Sequence, residues 1–357
     1  MPASGSPVQS THTLAEILSQ PEVWLTAIGG LVADAAFQEY ARKPTSGKQW
    51  LFVGCGTSFY LAEAAAGCWT LLTGERTYAL PASELLLFPQ LCQLDSSELQ
   101  AVVISRSGRT SEAVRAAKLL VQTYNVHTLG ITCAPESELS NACHSTLALA
   151  AANEKSMVMT RSFTSMLLGL IQLAASSRNG VLAPSFEAIS SALSARIQKF
   201  SQRVEAFVAR GSFADYIYLA QGPFFAVARE AALKITEMSC SYAQAYHTLE
   251  FRHGPKSIVS PQTCLTFFLS ESGMQEEMEV LAEMKELGGT VIAICNRATD
   301  LVRRSADLLL ELEADAPELV LVAPFVVPAQ LLGFHTGIKK GLNPDEPKNL
   351  SHVVILD

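Results

Sequence analysis

Two stretches of this 357-residue chain can be laid on later stretches at nearly the same offset. Gln49-Trp-Leu-Phe-Val-Gly-Cys-Gly56 matches Asp215-Tyr-Ile-Tyr-Leu-Ala-Gln-Gly222 at an offset of 166 residues. Val102-Val-Ile-Ser-Arg-Ser-Gly108 matches Phe267-Phe-Leu-Ser-Glu-Ser-Gly273 at 165, and Glu112 then falls on Glu277. Near-equal offsets at separated landmarks point to two copies of one structural unit. The copies are expected over 43–195 and 205–340, joined by a polar helical stretch around Ser194 to Arg210. A tail and helices over 1–42 precede them and a tail over 341–357 follows.

Within the first copy, apolar runs of strand length (Trp50–Val53, Val102–Ile104, Thr128–Thr132, Thr146–Leu149) are separated by Ala-rich stretches of helical period. Strands that are apolar throughout, alternating with helices, predict an α/β fold with a parallel sheet covered on both faces. Upstream, the Ser/Thr/Pro-rich residues 1–12 read as a disordered tail. Helices are expected from Thr13 to about Gln20 and from Glu22 to Arg42, before a break at Lys43-Pro44-Thr45-Ser46-Gly47.

At 49% hydrophobic and 17% charged, the chain can bury a large core. Its net charge of −8 argues against general affinity for nucleic acid or an anionic membrane, so an anionic ligand has to be held locally. No basic segment followed by an apolar one opens the chain. The apolar stretch Leu319–Phe334 contains Pro324 and Pro328 and is too short to span a bilayer. Eight cysteines without a CxxC pair and seven histidines without HExxH spacing predict a reduced, cytoplasmic protein with no metal site.

Four segments carry candidate chemistry. Gly54-Cys55-Gly56-Thr57-Ser58 follows the first strand, where tight glycine turns aim amides and hydroxyls at one place and can bind an anion. A plain strand-to-helix turn with a hydroxyl cap explains it equally. Ser105-Arg106-Ser107-Gly108-Arg109-Thr110 offers three hydroxyls, suited to phosphate oxygens or to capping a helix, and lacks the Lys-Ser/Thr pair of a nucleotide loop. The corresponding turns of the second copy, Gln221-Gly222-Pro223-Phe224 and Ser270-Glu271-Ser272-Gly273, have lost this character, so only the first copy is expected to hold phosphate. Glu230, Lys234 and Glu237 share one helix face at i, i+4, i+7. They form either a solvated ion pair or, in an otherwise Ala/Leu/Ile/Met helix, equipment for moving a proton between adjacent carbons. His253, before Gly254-Pro255, is expected on a loop, as a surface histidine or as a group that opens a sugar ring.

Taken together these residues resemble the sugar isomerase (SIS) superfamily, above all the isomerase half of glucosamine-6-phosphate synthase and stand-alone SIS proteins that deaminate amino-sugar phosphates. The likeness runs from about residue 45 through CGTS at Cys55–Ser58, S-x-SG-x-T at Ser105–Thr110 and Glu154…Thr160-Arg161-Ser162-Phe163-Thr164. It continues through EAALKITE at Glu230–Glu237, E-x-x-HGP at Glu250–Pro255, and APFVVPAQLLGFH…NPDEPKNL near the C-terminus. The resemblance implies two tandem SIS domains, each a five-stranded parallel sheet between helices, and a homodimer with shared active sites and no cofactor.

It further implies a sugar phosphate held by Cys55, Gly56, Thr57, Ser58, Ser105, Arg106, Ser107 and Thr110, and sugar contacts from Met159, Thr160 and His352. Glu237 is implied as the base between C1 and C2, Lys234 as its neighbour, and His253 as the ring-opening histidine given by the partner subunit. Four departures from the synthase stand out. The repeat follows Met1-Pro2 without a glutaminase domain. Asn349-Leu350-Ser351-His352 lacks the synthase's lysine one place before the serine. Met159 replaces a serine, and Arg106 and Arg109 add cations to the phosphate loop. The expected activity is therefore isomerisation coupled to loss of ammonia from an amino-hexose 6-phosphate. The alternatives are a sugar-phosphate sensor without turnover and an isomerase of a nitrogen-free sugar phosphate.

Overall fold

The computed structural model describes residues 12–42, 48–92, 94 and 97–356. Of the expected tail over 1–12 only His12 is among them, and the break at Lys43–Gly47 lies outside them. Contacts divide the chain into two compact units, one holding Gln20–Glu154, Arg161–Ser190 and the end from Ser351, the other Lys155–Thr160 and Ser191–Leu350 together with the first helix.

The N-terminal unit is built on strands β1 (Gln49–Gly54), β2 (Arg76–Pro81), β3 (Leu99–Ile104), β4 (His127–Thr132) and β5 (Ser145–Ala148). The second unit carries β6 (Asp215–Ala220), β7 (Tyr242–His247), β8 (Thr263–Phe268), β9 (Thr290–Cys295) and β10 (Leu308–Glu311). Every pairing is parallel, in the orders β2-β1-β3-β4-β5 and β10-β9-β8-β6-β7, which are one topology written in opposite directions. Each is an α/β three-layer fold, so the two expected five-stranded sheets are present.

Strand registers refine the repeat. Phe52 pairs with Val102 and its counterpart Tyr218 with Thr266, so β3 falls on β8 at an offset of 164, not 165. One residue, Leu269, thus lies between the end of β8 and Ser270, whereas Ser105 follows β3 directly. The glycines that leave the first strand of each copy keep the same left-handed conformation, Gly56 and Gly222 both at φ 54°. β2 escapes the apolar pattern because it is an edge strand, exposed at Arg76 and half-buried along the rest.

Helices α1 (Thr13–Leu18), α2 (Gln20–Ala33) and α3 (Ala35–Arg42) come before β1. The single helix expected over Glu22–Arg42 is two, because the Asp34 carboxylate accepts from the Ala36 and Phe37 amides and starts α3 afresh. Helices α4 (Thr57–Thr73), α5 (Ala82–Leu87), α6 (Ser111–Lys118), α7 (Glu138–Ala142), α8 (Arg161–Ser176) and α9 (Ala183–Ser194) follow in the first unit and its continuation. The second unit adds α10 (Ile197–Arg210), α11 (Pro223–Ser239), α12 (Met274–Glu286), α13 (Asp300–Ser305), α14 (Glu318–Leu321) and α15 (Val326–Lys339). The apolar stretch Glu318–Lys339 is 94% buried within the protein over its most apolar window, and α15 packs against α11 and α10.

The contact between α11 and α15 positions the helix that carries Glu237. Gly333 and Gly337 allow a close approach: a Cβ on Gly337 would stand 2.2 Å from the Met238 carbonyl oxygen, and one on Gly333 3.2 Å from that of Lys234. Overpacking of this kind costs roughly 1–3 kcal/mol. Gly337→Ala is therefore expected to lower the urea midpoint by an equivalent amount, and an unchanged midpoint would show that the helices can separate freely.

Candidate active site

In both sheets the chain leaves the first strand toward one edge and the second landmark strand toward the other, so the order reverses between β1 and β3 and between β6 and β8. Loops at the C-terminal ends of strands flanking such a reversal leave a crevice where α/β proteins bind ligands. The two hydroxyl-rich turns stand there. β1 runs directly into Gly54–Ser58 and α4, β3 into Ser105–Thr110 and then α6, which begins only at Ser111.

Gly54 has no substitute, since a Cβ would lie 2.3 Å from the Ser58 carbonyl oxygen. Thr57, Ser58 and Ser105 are buried, while Ser107 and Thr110 are partly exposed. Within the second turn, Ser105 Oγ lies 3.4 Å from Thr110 Oγ1 and accepts from the Gly108 amide, and Ser107 Oγ accepts from the Arg109 amide. Gly108 is left-handed, and a Cβ there would meet Ser137 Oγ at 2.2 Å. Arg106, expected at a phosphate, has its guanidinium 3.6 Å from the buried Glu154 carboxylate. Burial and then the nearby Glu112 push the Cys55 thiol up to about 12, so it contributes no thiolate. The chain's end returns to this place: Ser111 N donates to Val354 O, Leu356 N to Ser111 Oγ, and Arg115 to Leu356 O. His352, just before, is exposed.

The equivalent turn of the second copy is filled by the protein's own carboxylates. Glu277 Oε2 accepts from Ser270 N at 2.7 Å and Ser270 Oγ at 2.9 Å, and Glu318 accepts from Ser272 N and Oγ. Glu271, the acidic residue within this turn, instead accepts from Asn296. Burial, only partly opposed by the Ser270 hydrogen bonds, pushes the Glu277 carboxyl up to about 7.

In α11 the i, i+4, i+7 spacing becomes a buried ion triplet. Lys234 Nζ lies 3.3 Å from Glu230 Oε1 and 2.5 Å from Glu237 Oε2; the side chains of Glu230 and Lys234 are wholly buried and that of Glu237 is 17% exposed. Burial alone would depress the lysine, but the Glu230 and Glu237 carboxylates outweigh it and hold the ammonium above its ordinary pKa. Glu237 reaches a cavity of about 190 Å³, lined also by Met238, Cys240, Asn343, Glu346 and Lys348 among others. The last three belong to NPDEPKNL, which the sequence marked as a landmark without a role. Their participation follows from where that loop folds.

His253 is exposed at the end of the 3-10 turn Glu250–Arg252, on the loop expected, and is not among the residues lining this cavity. Met159 and Thr160 are buried, and Gln330 Nε2 donates to the Thr160 carbonyl at 3.4 Å. Among the described residues no group of histidine, cysteine and acidic side chains could hold a metal ion, and all eight cysteines are free thiols.

The sequence profile of the SIS domain matches residues 45–176 and 216–336, one copy of the repeat each. The chain belongs to the SIS domain family. The D-galactosamine-6-phosphate deaminase AgaS of Escherichia coli is 26% identical over 97% of this chain and 95% of its own length. The glutamine–fructose-6-phosphate aminotransferase (isomerizing) of Bacteroides thetaiotaomicron is 25% identical over 96% of this chain, which spans 58% of that enzyme. Glucosamine-6-phosphate deaminase from Thermotoga maritima superposes with a TM-score of 0.78 at 27% identity, covering 96% of this chain and 99% of that one. These SIS relatives are enzymes by name.

Two outcomes follow from the buried charges. Lys234→Met removes the positive charge between Glu230 and Glu237, and breaking a buried pair costs about 3–5 kcal/mol, readable by urea unfolding. Because the lysine's pKa is raised on folding, its contribution holds below pH ~10.5 and is lost as pH rises beyond. Glu277 loses stability in the same direction but at lower pH. Between pH ~4.5 and ~7 the native carboxyl keeps a proton that the unfolded chain has released, so stability falls with rising pH by about 3 kcal/mol. Glu277→Gln should flatten that slope, and an unaltered slope would assign it to another group.

Proposed function

We propose that this protein is a phosphosugar isomerase–deaminase that converts an amino-hexose 6-phosphate to the ketose phosphate and ammonia. The observation that carries the reading is Glu237, paired with a buried protonated Lys234 and reaching a cavity. In this reading the hydroxyl turns after β1 and β3 hold the phosphate, with Ser58, Ser105, Ser107 and Thr110 as ligands beside the amides of Cys55–Thr57. Holding the phosphate fixes the sugar and lowers the entropic part of the barrier. The self-filled second turn supports one phosphate site per chain, on the N-terminal copy.

His253 opens the ring in this mechanism, given by the partner in a homodimer, and its exposure accords with that role. Glu237 then removes the C2 proton from the open aldehyde while O1 takes a proton, giving an enolamine, and returns the proton to C1 as the nitrogen gives up one of its own. The product is a C2 ketimine, which water hydrolyses to the ketose with release of ammonia. A carboxylate beside the plane of the intermediate serves both carbons. Lys234 keeps its proton and stands as a fixed positive charge beside Glu237. Met159, Thr160 and His352 would meet the sugar, and the free thiols suit a reducing, cytoplasmic setting. The amino-sugar-phosphate deaminase relatives support a nitrogen-bearing substrate.

Pure protein incubated with galactosamine 6-phosphate or glucosamine 6-phosphate is expected to release ammonia and ketose 6-phosphate in equal amounts. Glu237→Gln should cut turnover by about 10²–10⁴ while leaving sugar-phosphate affinity, read by thermal stabilisation, nearly unchanged. Binding of these sugars by the wild type without ammonia release or C2 exchange in heavy water would favour a sensor instead. C2 exchange with a nitrogen-free sugar phosphate alone would favour plain isomerisation.

A further inference from the structure

The Glu237 cavity is closed on one side by a loop whose position depends on the first helix of the chain. Asn343–Lys348 folds back on itself, with the Asp345 amide donating to Asn343 Oδ1 and the Glu346 amide to Asn343 O. Buried Pro344 sits where a Cβ on Gly337 of α15 would touch it at 3.3 Å. The Asp345 side chain turns the other way, to α1. Its Oδ1 accepts from Thr13 N and Thr13 Oγ1, both at 2.7 Å, and its Oδ2 from His12 N at 3.1 Å.

α1 holds a second loop with a carboxylate of its own. Glu16, 4% exposed, accepts from the Lys155 amide at 2.6 Å and from the Ser156 amide and hydroxyl. This loop leads to Met159 and Thr160. The two loops are also joined directly, Met157 N donating to Asp345 O at 3.3 Å. Six residues of helix, packed on α15, therefore bind two segments lying about 190 positions apart in the chain.

We propose that α1 is a clasp on the active site: through Asp345 it sets the Asn343–Lys348 loop against Glu237, through Glu16 it sets Lys155–Thr160, and both carboxylates are positioning residues. The charges explain why carboxylates serve here. A hydrogen bond to an ionised acceptor is roughly twice as strong as a neutral one, and Asp345 takes three from one short segment. Releasing it frees the loop without removing any group assigned to the chemistry. The consequence for catalysis rests on the function proposed above; the clasp itself does not.

The cavity carries its own reporter. Cys240 lines it and is the exposed member of the eight cysteines, the others being buried or partly so. In the full chain, the Cys240 thiol should react with the aromatic disulfide reagent DTNB as the fastest phase, one that Cys240→Ser removes. Asp345→Ala should accelerate that phase about tenfold, the loss expected for charge-assisted hydrogen bonds. Asp345→Asn, which keeps an acceptor for Thr13, should restore most of the wild-type rate, and Thr13→Val should give one between those of the wild type and Asp345→Ala.

With the amino-sugar phosphate as substrate, Asp345→Ala should raise KM more than it lowers kcat. Unchanged Cys240 labelling in both Asp345→Ala and Thr13→Val, with the fold retained, would overturn the clasp. If Asp345→Ala does not fold, Thr13→Val and Asp345→Asn decide alone, equal labelling in all overturning it. Should no sugar phosphate turn over in the wild type, the functional reading falls while the labelling still decides the clasp.

Discussion

A lysine with no exposed surface can keep its proton only between carboxylates, and the stretch of α11 around Lys234 is organised by that requirement. Glu230 lies a turn before it and Glu237 about a turn after, so one helix face supplies both carboxylates that hold the ammonium. The triplet lets an otherwise apolar helix be buried against α15 while delivering one carboxylate, Glu237, to a cavity at its end. Gly333 and Gly337 serve the same purpose, since a bulkier α15 would move α11 and Glu237 with it.

Duplication supplied two similar crevices, and divergence gave them different contents. After β3, hydroxyls and amides are arranged around a left-handed Gly108. After β8, the inserted residue and a Gly273 that is not left-handed accompany carboxylates from Glu277 and Glu318 drawn into the turn. An anion held by amides is stable whether it comes from a ligand or from the chain, and a covalently attached carboxylate has the advantage of proximity. In the second copy the Ser270 and Ser272 amides are thus taken up by the chain's own carboxylates.

The NPDEPKNL loop shows how a motif can carry a task other than touching substrate. Asn343 shapes the loop, Pro344 packs it, Asp345 ties it to α1, and Glu346 and Lys348 reach the cavity. Each residue type fits its duty: an amide for a tight turn, a ring for a glycine surface, a carboxylate for several donors at once.

The amino-acid sequence by itself determined the architecture, because apolar runs of strand length and a near-constant offset are local and repetitive signals. It also placed Glu230, Lys234 and Glu237 on one face, since i, i+4, i+7 is a property of the helix alone, and His253 on a loop ahead of Gly254-Pro255. What it misread or passed over were features decided by neighbours: the helix break at Asp34 and the one-residue shift between β3 and β8 were misread, and the edge strand β2 was passed over. Only tertiary structure decided that Glu277 and Glu318, not Glu271, would fill the second turn. The same holds for Asp345 seeking Thr13, a partner 332 residues away. Hydrogen bonds between distant segments have no period and no spacing, so nothing in the order of residues announces them until the chain has folded.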